Sequence, residues 1–188
     1  MKTVDFNNID YLSKYIVNDR LDLPRLINDD FFLAIKLCYN KGYYTSATKL
    51  LMCFVDSISY VASGKSSATS FQEYLNKYCD LEKVGVTSYE VWEHRNGILH
   101  MTNLESRKIT QGQVKRLISY VGTLTGDMPK GHKDTKYFSL YDFMIEVGRS
   151  IGRYIDFLNK NPNEYESFFK RYDEIVSDVR KSIATISE

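Results

Sequence analysis

An all-α helical bundle is the fold class that this sequence predicts, and three observations carry it. Apolar residues recur at three- and four-residue spacing in one segment after another. Capping residues and glycines stand where those periodic runs begin and end. The two-residue alternation of a sheet nowhere lasts more than a few residues, and the one Asn-Gly, Asn96-Gly97, lies inside a helical pattern and not between paired runs. A chain of 188 residues, 43% hydrophobic and 14% aromatic, can bury one sizeable core, so residues 1–188 read as a single domain. No internal repeat or low-complexity tract divides it.

Taken in order, the first helix is expected from Asn8 to Val17, with Ile9, Leu12, Tyr15 and Ile16 at helical spacing, before a break that begins at Asn18-Asp19 and that Pro24 confirms. Asp29 or Asp30 caps a second, in which Phe32, Ile35, Leu37 and Cys38 pack and Gly42 ends the run after Lys41. The third, Tyr43 to Ala62, has the clearest pattern. Tyr44, Ala47, Leu51, Phe54, Ile58 and Val61 alternate by three and four, and Leu50, Val55 and Ala62 widen the stripe to that of a core helix. Asp56 is the anomaly in it. An unpaired carboxylate buried there would cost several kcal/mol, so it either points to solvent from the helix flank or pairs with Arg95.

A polar linker, Gly64 to Ser70, follows, and Ser70 caps a fourth helix through Phe71, Tyr74, Leu75 and Tyr78. Gly85 and Thr87-Ser88 reset the chain and cap a fifth helix, from about Ser88 to Leu104. Thr110 caps a sixth, with Val114, Leu117, Ile118, Val121 and Leu124 as its stripe and Gly126 as its end. Gly126 to Lys136 is a polar loop containing Pro129, Gly131, His132 and three lysines. Ser139 caps the seventh helix, Leu140 to Leu158, whose core face is Leu140, Phe143, Met144, Val147, Ile151, Tyr154, Ile155 and Leu158. Asn161-Pro162 starts the eighth, in which Phe168, Phe169, Tyr172, Ile175, Val179 and Ile183 repeat at helical spacing.

Composition narrows the function. Lys and Arg number 25 against 24 for Asp and Glu, so no bulk field advertises nucleic acid or a basic partner, and any charged surface must be local. The three cysteines, Cys38, Cys53 and Cys79, are odd in number and set in apolar runs, which reads as buried thiols in a reducing compartment with no disulfide. Met1 to Asp10 lacks the basic start and apolar core of a signal peptide, and no apolar run is long enough to span a bilayer. A cytoplasmic location without membrane association is therefore expected.

The chemistry-bearing stretch is Tyr89 to Met101, where a cation, an amide and an imidazole fall within a turn and a half of the fifth helix. Asn96 and His100 are one turn apart on one face, with Glu93 a turn below and Gly97 beside them. A glycine inside a helix costs up to about 1 kcal/mol relative to alanine, which suggests a close approach by another backbone or a ligand. Arg95 points elsewhere, about 140° from His100 and on the side of Trp92 and Leu99, so only its long side chain could bring the guanidinium round. Glycine-rich phosphate loops, Gly-x-Ser-x-Gly elbows, paired cysteines and His-Glu-x-x-His are all missing. His94 and His100 stand about 120° apart around the helix and His132 lies in the loop, so neither a metal nor a cofactor is expected.

What remains is Arg95 and His100 with four residues between them, on a helix with Trp92, Asn96 and Gly97, following a core helix with an embedded acid. The string Trp92-Glu93-His94-Arg95-Asn96-Gly97-Ile98-Leu99-His100 resembles the HEPN superfamily. In these helical bundles an Arg, four to six residues and then a His, often with a polar residue straight after the Arg, mark metal-independent ribonucleases. The resemblance covers about Tyr43 to Leu104, with the helices over 139–186 expected to pack on that core. It implies catalytic roles for Arg95, His100 and Asn96, a pairing of Asp56 with Arg95, and supporting roles for Glu93 and Gly97. Cleavage of RNA through its own 2′-hydroxyl needs a base, an acid and a cation, and no metal. His100 can act as base or acid near neutral pH, Arg95 can stabilise phosphate charge or orient the imidazole, and Asn96 can hold either.

Two function classes stay open on this reading. One is an endoribonuclease of the kind that serves many bacterial members as toxin or defence effector, with RNA as substrate and an antitoxin protein as a partner. The other is a non-catalytic helical module for nucleotide binding or protein association. If Glu93, Asn96, Gly97 and His100 line an outer face of the fifth helix, the site is shallow, and a symmetric homodimer meeting at Gly97 would deepen it.

Overall fold

The computed structural model describes residues 13–18, 20–100, 106–122 and 134–182. It is mostly helical, the all-α bundle that the sequence predicts, with two small strand pairs. The chain entry departs from expectation. Ser13–Tyr15 is a 3-10 turn, and Ile16–Val17 (β1) pairs antiparallel with Arg20–Leu21 (β2) in place of the end of a first helix. Ile16 and Val17 are β-branched, and Asn18 between the strands has φ 52°, a left-handed conformation that asparagine tolerates. Ile9 and Leu12, the start of that expected helix, lie outside the described residues.

Asp22 caps α1 (Leu23–Ile27), accepting from the Arg25 amide at 3.1 Å, and Pro24 occupies the first turn, where its missing N–H costs nothing. Pro24 therefore opens a helix instead of confirming a break. Asp29 and Asp30 cap nothing. They sit inside a π-helical turn, Asn28–Phe32, that carries α1 directly into α2 (Leu33–Asn40). Phe32 and Ile35 are buried, but Leu37, two positions on and so across the helix, is exposed.

Helix α3 (Tyr44–Ser63) is the hub, with Ala47, Leu51, Phe54, Val55, Ile58 and Val61 buried as their spacing dictates. It lies against α2 and next to α4 (Ala68–Tyr78). Ser67, and not Ser70, is the cap of α4: its hydroxyl accepts from the Ser70 amide at 3.1 Å, while Ser70 is buried with its own hydroxyl 2.9 Å from that of Ser67. One turn of helix, α5 (Leu81–Val84), ends at Gly85, whose φ of 73° suits glycine, and α6 (Ser88–His100) is the expected fifth helix as far as it is described.

The expected sixth helix does not form. Thr110 closes a single turn, α7 (Arg107–Thr110), and Gly112, at φ 67°, breaks the run. Arg116–Tyr120 is then a strand, β3, paired in parallel with β4 (Thr135–Ser139), with Arg116 opposite Thr135 and Tyr120 opposite Ser139. The stretch is only five residues long with β-branched Ile118 in it, too short for helical and strand periods to be told apart, and Leu117 and Phe138 are its buried anchors. Thr135 and Lys136, assigned to the loop, belong to β4. Leu124, Gly126 and His132 fall outside the described residues.

Ser139 caps α8 (Leu140–Lys160), accepting from the Asp142 amide at 3.1 Å, and all eight expected core residues are buried. Phe32 lies so close to Gly148 that a Cβ there would stand 3.3 Å from its ring. Asn161 ends α8 instead of opening the next helix, its side-chain NH₂ donating to the Phe157 carbonyl at 2.7 Å, and after a turn through Pro162 α9 begins (Glu164–Ser182). Both α8 and α9 pack on α3, and α6 packs on α3, α4 and β3. The thiols are all free, but Cys53 is exposed and Cys38 and Cys79 are half-buried, since Cys53 falls two positions past Leu51 on the outer side of α3. No described helix is long and apolar enough to cross a membrane.

Candidate functional site

Two elements fix the site. The start of α6 is set by a capping box: Glu90 accepts from the Thr87 amide at 2.8 Å, and the Thr87 hydroxyl accepts from the Glu90 amide at 3.2 Å. Lys136 of β4 reaches Glu90 at 2.9 Å, which ties α6 to the parallel strand pair. Val91 and Ile98 turn into the core, and Trp92 packs edge-on against Phe71 of α4 with ring centres 5.2 Å apart.

With α6 held beside α3, Arg95 meets Asp56. The guanidinium places Nε 2.7 Å and Nη2 2.6 Å from the same carboxylate oxygen, Oδ2, on side chains 16% and 29% exposed. The acid embedded in the core helix is thus paired, as the sequence expects. Nη1 of Arg95 also donates to Oδ1 of Asn96 at 3.0 Å and lies 2.5 Å from Nε2 of the exposed His100. Its plane rests over the Trp92 ring, 4.9 Å from the centre. The long side chain therefore does bring the cation round to the imidazole, and Asp56, Arg95, Asn96 and His100 form one connected cluster. Since a guanidinium only donates, Nε2 of His100 is the acceptor, and the proton of the neutral ring sits on Nδ1.

Glu93 and Gly97 do not join it. Glu93 is 3% exposed, accepts from the Ser106 hydroxyl at 2.6 Å and pairs with Lys108 at 3.2 Å, so it anchors the start of α7 to α6. Gly97 is buried within the chain, so the expected outer face of Glu93, Asn96, Gly97 and His100 is not continuous. His94 is buried, edge-on to Phe138 at 5.5 Å, with neither ring nitrogen hydrogen-bonded among the described residues. Burial pushes its pKa down to about 4, against a weaker upward pull from the nearby Leu117 backbone. Among the described residues no group of His, Cys, Asp and Glu is placed to hold a metal ion.

Reasoning from the sequence missed Lys65 and Ser66. They lie on the turn between α3 and α4 and, with Ser59, Asp56, Trp92 and Arg95, border a hollow of about 50 Å³. Residues of a polar linker carry no periodic signal, so only the fold could bring them to Arg95. Cys53, one turn from Asp56, also belongs to the surroundings; burial and the Asp56 charge push its thiol up, against the pull of Arg95. No protein-family model matches this chain, and neither a curated protein nor a solved structure matches it.

Proposed function

We propose that this cluster cleaves RNA without a metal ion, through attack of the 2′-hydroxyl on the adjacent phosphorus. The observation that carries the reading is that one guanidinium engages Asp56, Asn96 and His100 together. In the reaction a base takes the 2′-hydroxyl proton, the 2′-oxygen bonds to phosphorus, the bond to the 5′-oxygen breaks and an acid protonates that oxygen. The products are a 2′,3′-cyclic phosphate and a 5′-hydroxyl. His100 is exposed and serves as one of the two proton carriers, its Nε2 lone pair becoming free to take a proton when Arg95 Nη1 turns to the phosphate. Arg95 is clamped by Asp56, so it acts mainly by fixing the ring and by bringing positive charge to the phosphate. Asn96 uses Oδ1 on Arg95 and keeps its NH₂ donors for a phosphate oxygen. The HEPN resemblance supports a toxin or defence effector restrained by an antitoxin protein as the setting for this activity. It also supports a homodimer.

A second reading has one observation in its favour. Arg95 is already engaged within the chain, as it would be in an ion-paired network of a non-catalytic module that binds nucleotides or proteins. Incubating the purified protein with labelled RNA in EDTA separates the two. Cleavage to cyclic-phosphate ends, lowered about 100-fold or more in a folded His100→Ala variant, is the expected result. Full activity in that variant, or a requirement for added magnesium, would overturn this mechanism, and no cleavage by the wild type would leave only the binding module.

A further inference from the structure

The hollow beside Arg95 has walls whose polar groups are nearly all engaged. Asp56 is held by Arg95 through Oδ2, the Ser59 hydroxyl donates to the Val55 carbonyl at 2.6 Å, and the Ser67 hydroxyl caps α4. Of the five N–H groups of Arg95, only the second one on Nη2 is not directed at Asp56, Asn96 or His100. The remaining donors are the Lys65 ammonium, for which no side-chain partner occurs among the described residues, and the Ser66 hydroxyl. Both side chains are exposed on a turn that is itself well fixed. Gly64 is left-handed at φ 72°, Arg171 of α9 donates to the Val61 and Ala62 carbonyls at 3.1 and 3.3 Å, and the Ser63 hydroxyl bridges the Lys65 carbonyl and amide at 3.1 Å each.

Size and wall chemistry select the ligand. The hollow, about 50 Å³, is far smaller than a drug-sized pocket, so it has room for a phosphate group and not for a base. Trp92 offers no open stacking platform there, because the Arg95 guanidinium covers its ring and Phe71 packs against it. We infer that Lys65 and Ser66 form a subsite for a second phosphate of a single-stranded RNA, next to the one that reacts at His100. The inference rests on the RNA-cleavage reading, and it supplies what that reading lacks. The charge of Arg95 is partly offset by Asp56, and a chain of formal net charge +1 needs a further local cation to hold the strand.

The test uses the full chain and a 2′-O-methyl RNA oligomer, which binds but cannot be cleaved, with fluorescence anisotropy over a range of salt. Lys65→Ala is expected to weaken binding about 5- to 10-fold at low salt and to make the slope of log Kd against log salt shallower by about 0.7, as for one lost phosphate contact on a single strand. Ser66→Ala should weaken binding less and leave the slope alone. Lys41→Ala, on the α2–α3 turn, should leave affinity and slope at wild-type values. A wild-type slope in Lys65→Ala, or no RNA binding by the wild type, would overturn the subsite. So would displacement of RNA by inorganic phosphate beyond the effect of chloride at equal ionic strength, which would make this a free-phosphate site. Failure of the cleavage reading is distinguishable: Lys65-dependent binding with cleavable RNA left intact removes the catalysis and keeps the subsite.

Discussion

Arg95 makes contacts that no other side chain reproduces. It spans Asp56, Asn96 and His100 while sitting over the Trp92 ring, a geometry that needs a planar fork with several donors. Arg95→Lys keeps the charge but has one nitrogen for three partners, so it should lose cleavage as Arg95→Ala does, by about 100-fold or more, with the circular dichroism of a folded helical protein retained. Near-wild-type rates in the lysine variant would mean that positive charge alone suffices. The pairing with Asp56 was legible in the sequence as one of two placements for a carboxylate in an apolar stripe, the other being solvent at the helix flank. The His100 contact was legible only as a possibility of reach, since a helical wheel places Cα atoms and the guanidinium lies several bonds beyond. Glu93 was misread for the same reason: the wheel puts it on the face of His100, but its partners, Ser106 and Lys108, arrive from α7.

At the scale of elements, the long helices were legible and the α7 to β4 region was not. A strand of five residues presents too few positions to define a period, and its parallel partner lies across a connection that no hairpin signal marks. The same region explains His94, which α6 buries against Phe138 of β4. In the fold its pKa falls from 6.5 to about 4, while the unfolded chain takes up a proton near 6.5. The folded-state value is the lower one, so acid favours unfolding. The contribution is complete above pH 6.5, declines as pH falls from 6.5 towards 4, and is exhausted below that. At about 1.4 kcal/mol per pH unit, the stability should drop by roughly 2 kcal/mol between pH 7 and pH 5 from this group. Urea denaturation at the two values measures it. His94→Phe, which keeps the ring and removes the titration, should reduce the drop by about that amount; an equal drop in both proteins would place the acid sensitivity elsewhere.

On the scale of the whole molecule, the cluster lies open where two chains could meet. Leu33 and Leu37 of α2 and Leu50 of α3 are exposed, and exposed Cys53 stands between Leu50 and Asp56 around α3, about 60° from each. The proposed homodimer would cover large apolar side chains left in water on these adjoining helices. The proposed catalysis would gain from the same thing, because stabilisation of phosphate charge is weak at a hydrated surface and grows when a second chain excludes water. Gly97 is no part of that contact. It is buried within the chain, so Gly97→Arg should unfold the protein and not merely inactivate it. For the proposed dimer we expect the contact instead on the outer side of α3, and Leu50, 40% exposed, is the residue at which to probe it, since its replacement leaves the core intact. In sedimentation equilibrium at tens of micromolar, the wild type should be a dimer and Leu50→Glu a monomer with unchanged circular dichroism. The monomer should cleave RNA at least about 10-fold more slowly, through poorer electrostatic stabilisation and not through loss of His100. A monomeric wild type, or a Leu50→Glu variant that still dimerises, would remove α3 from the interface and leave Arg95 and His100 to act on the open surface of a single chain.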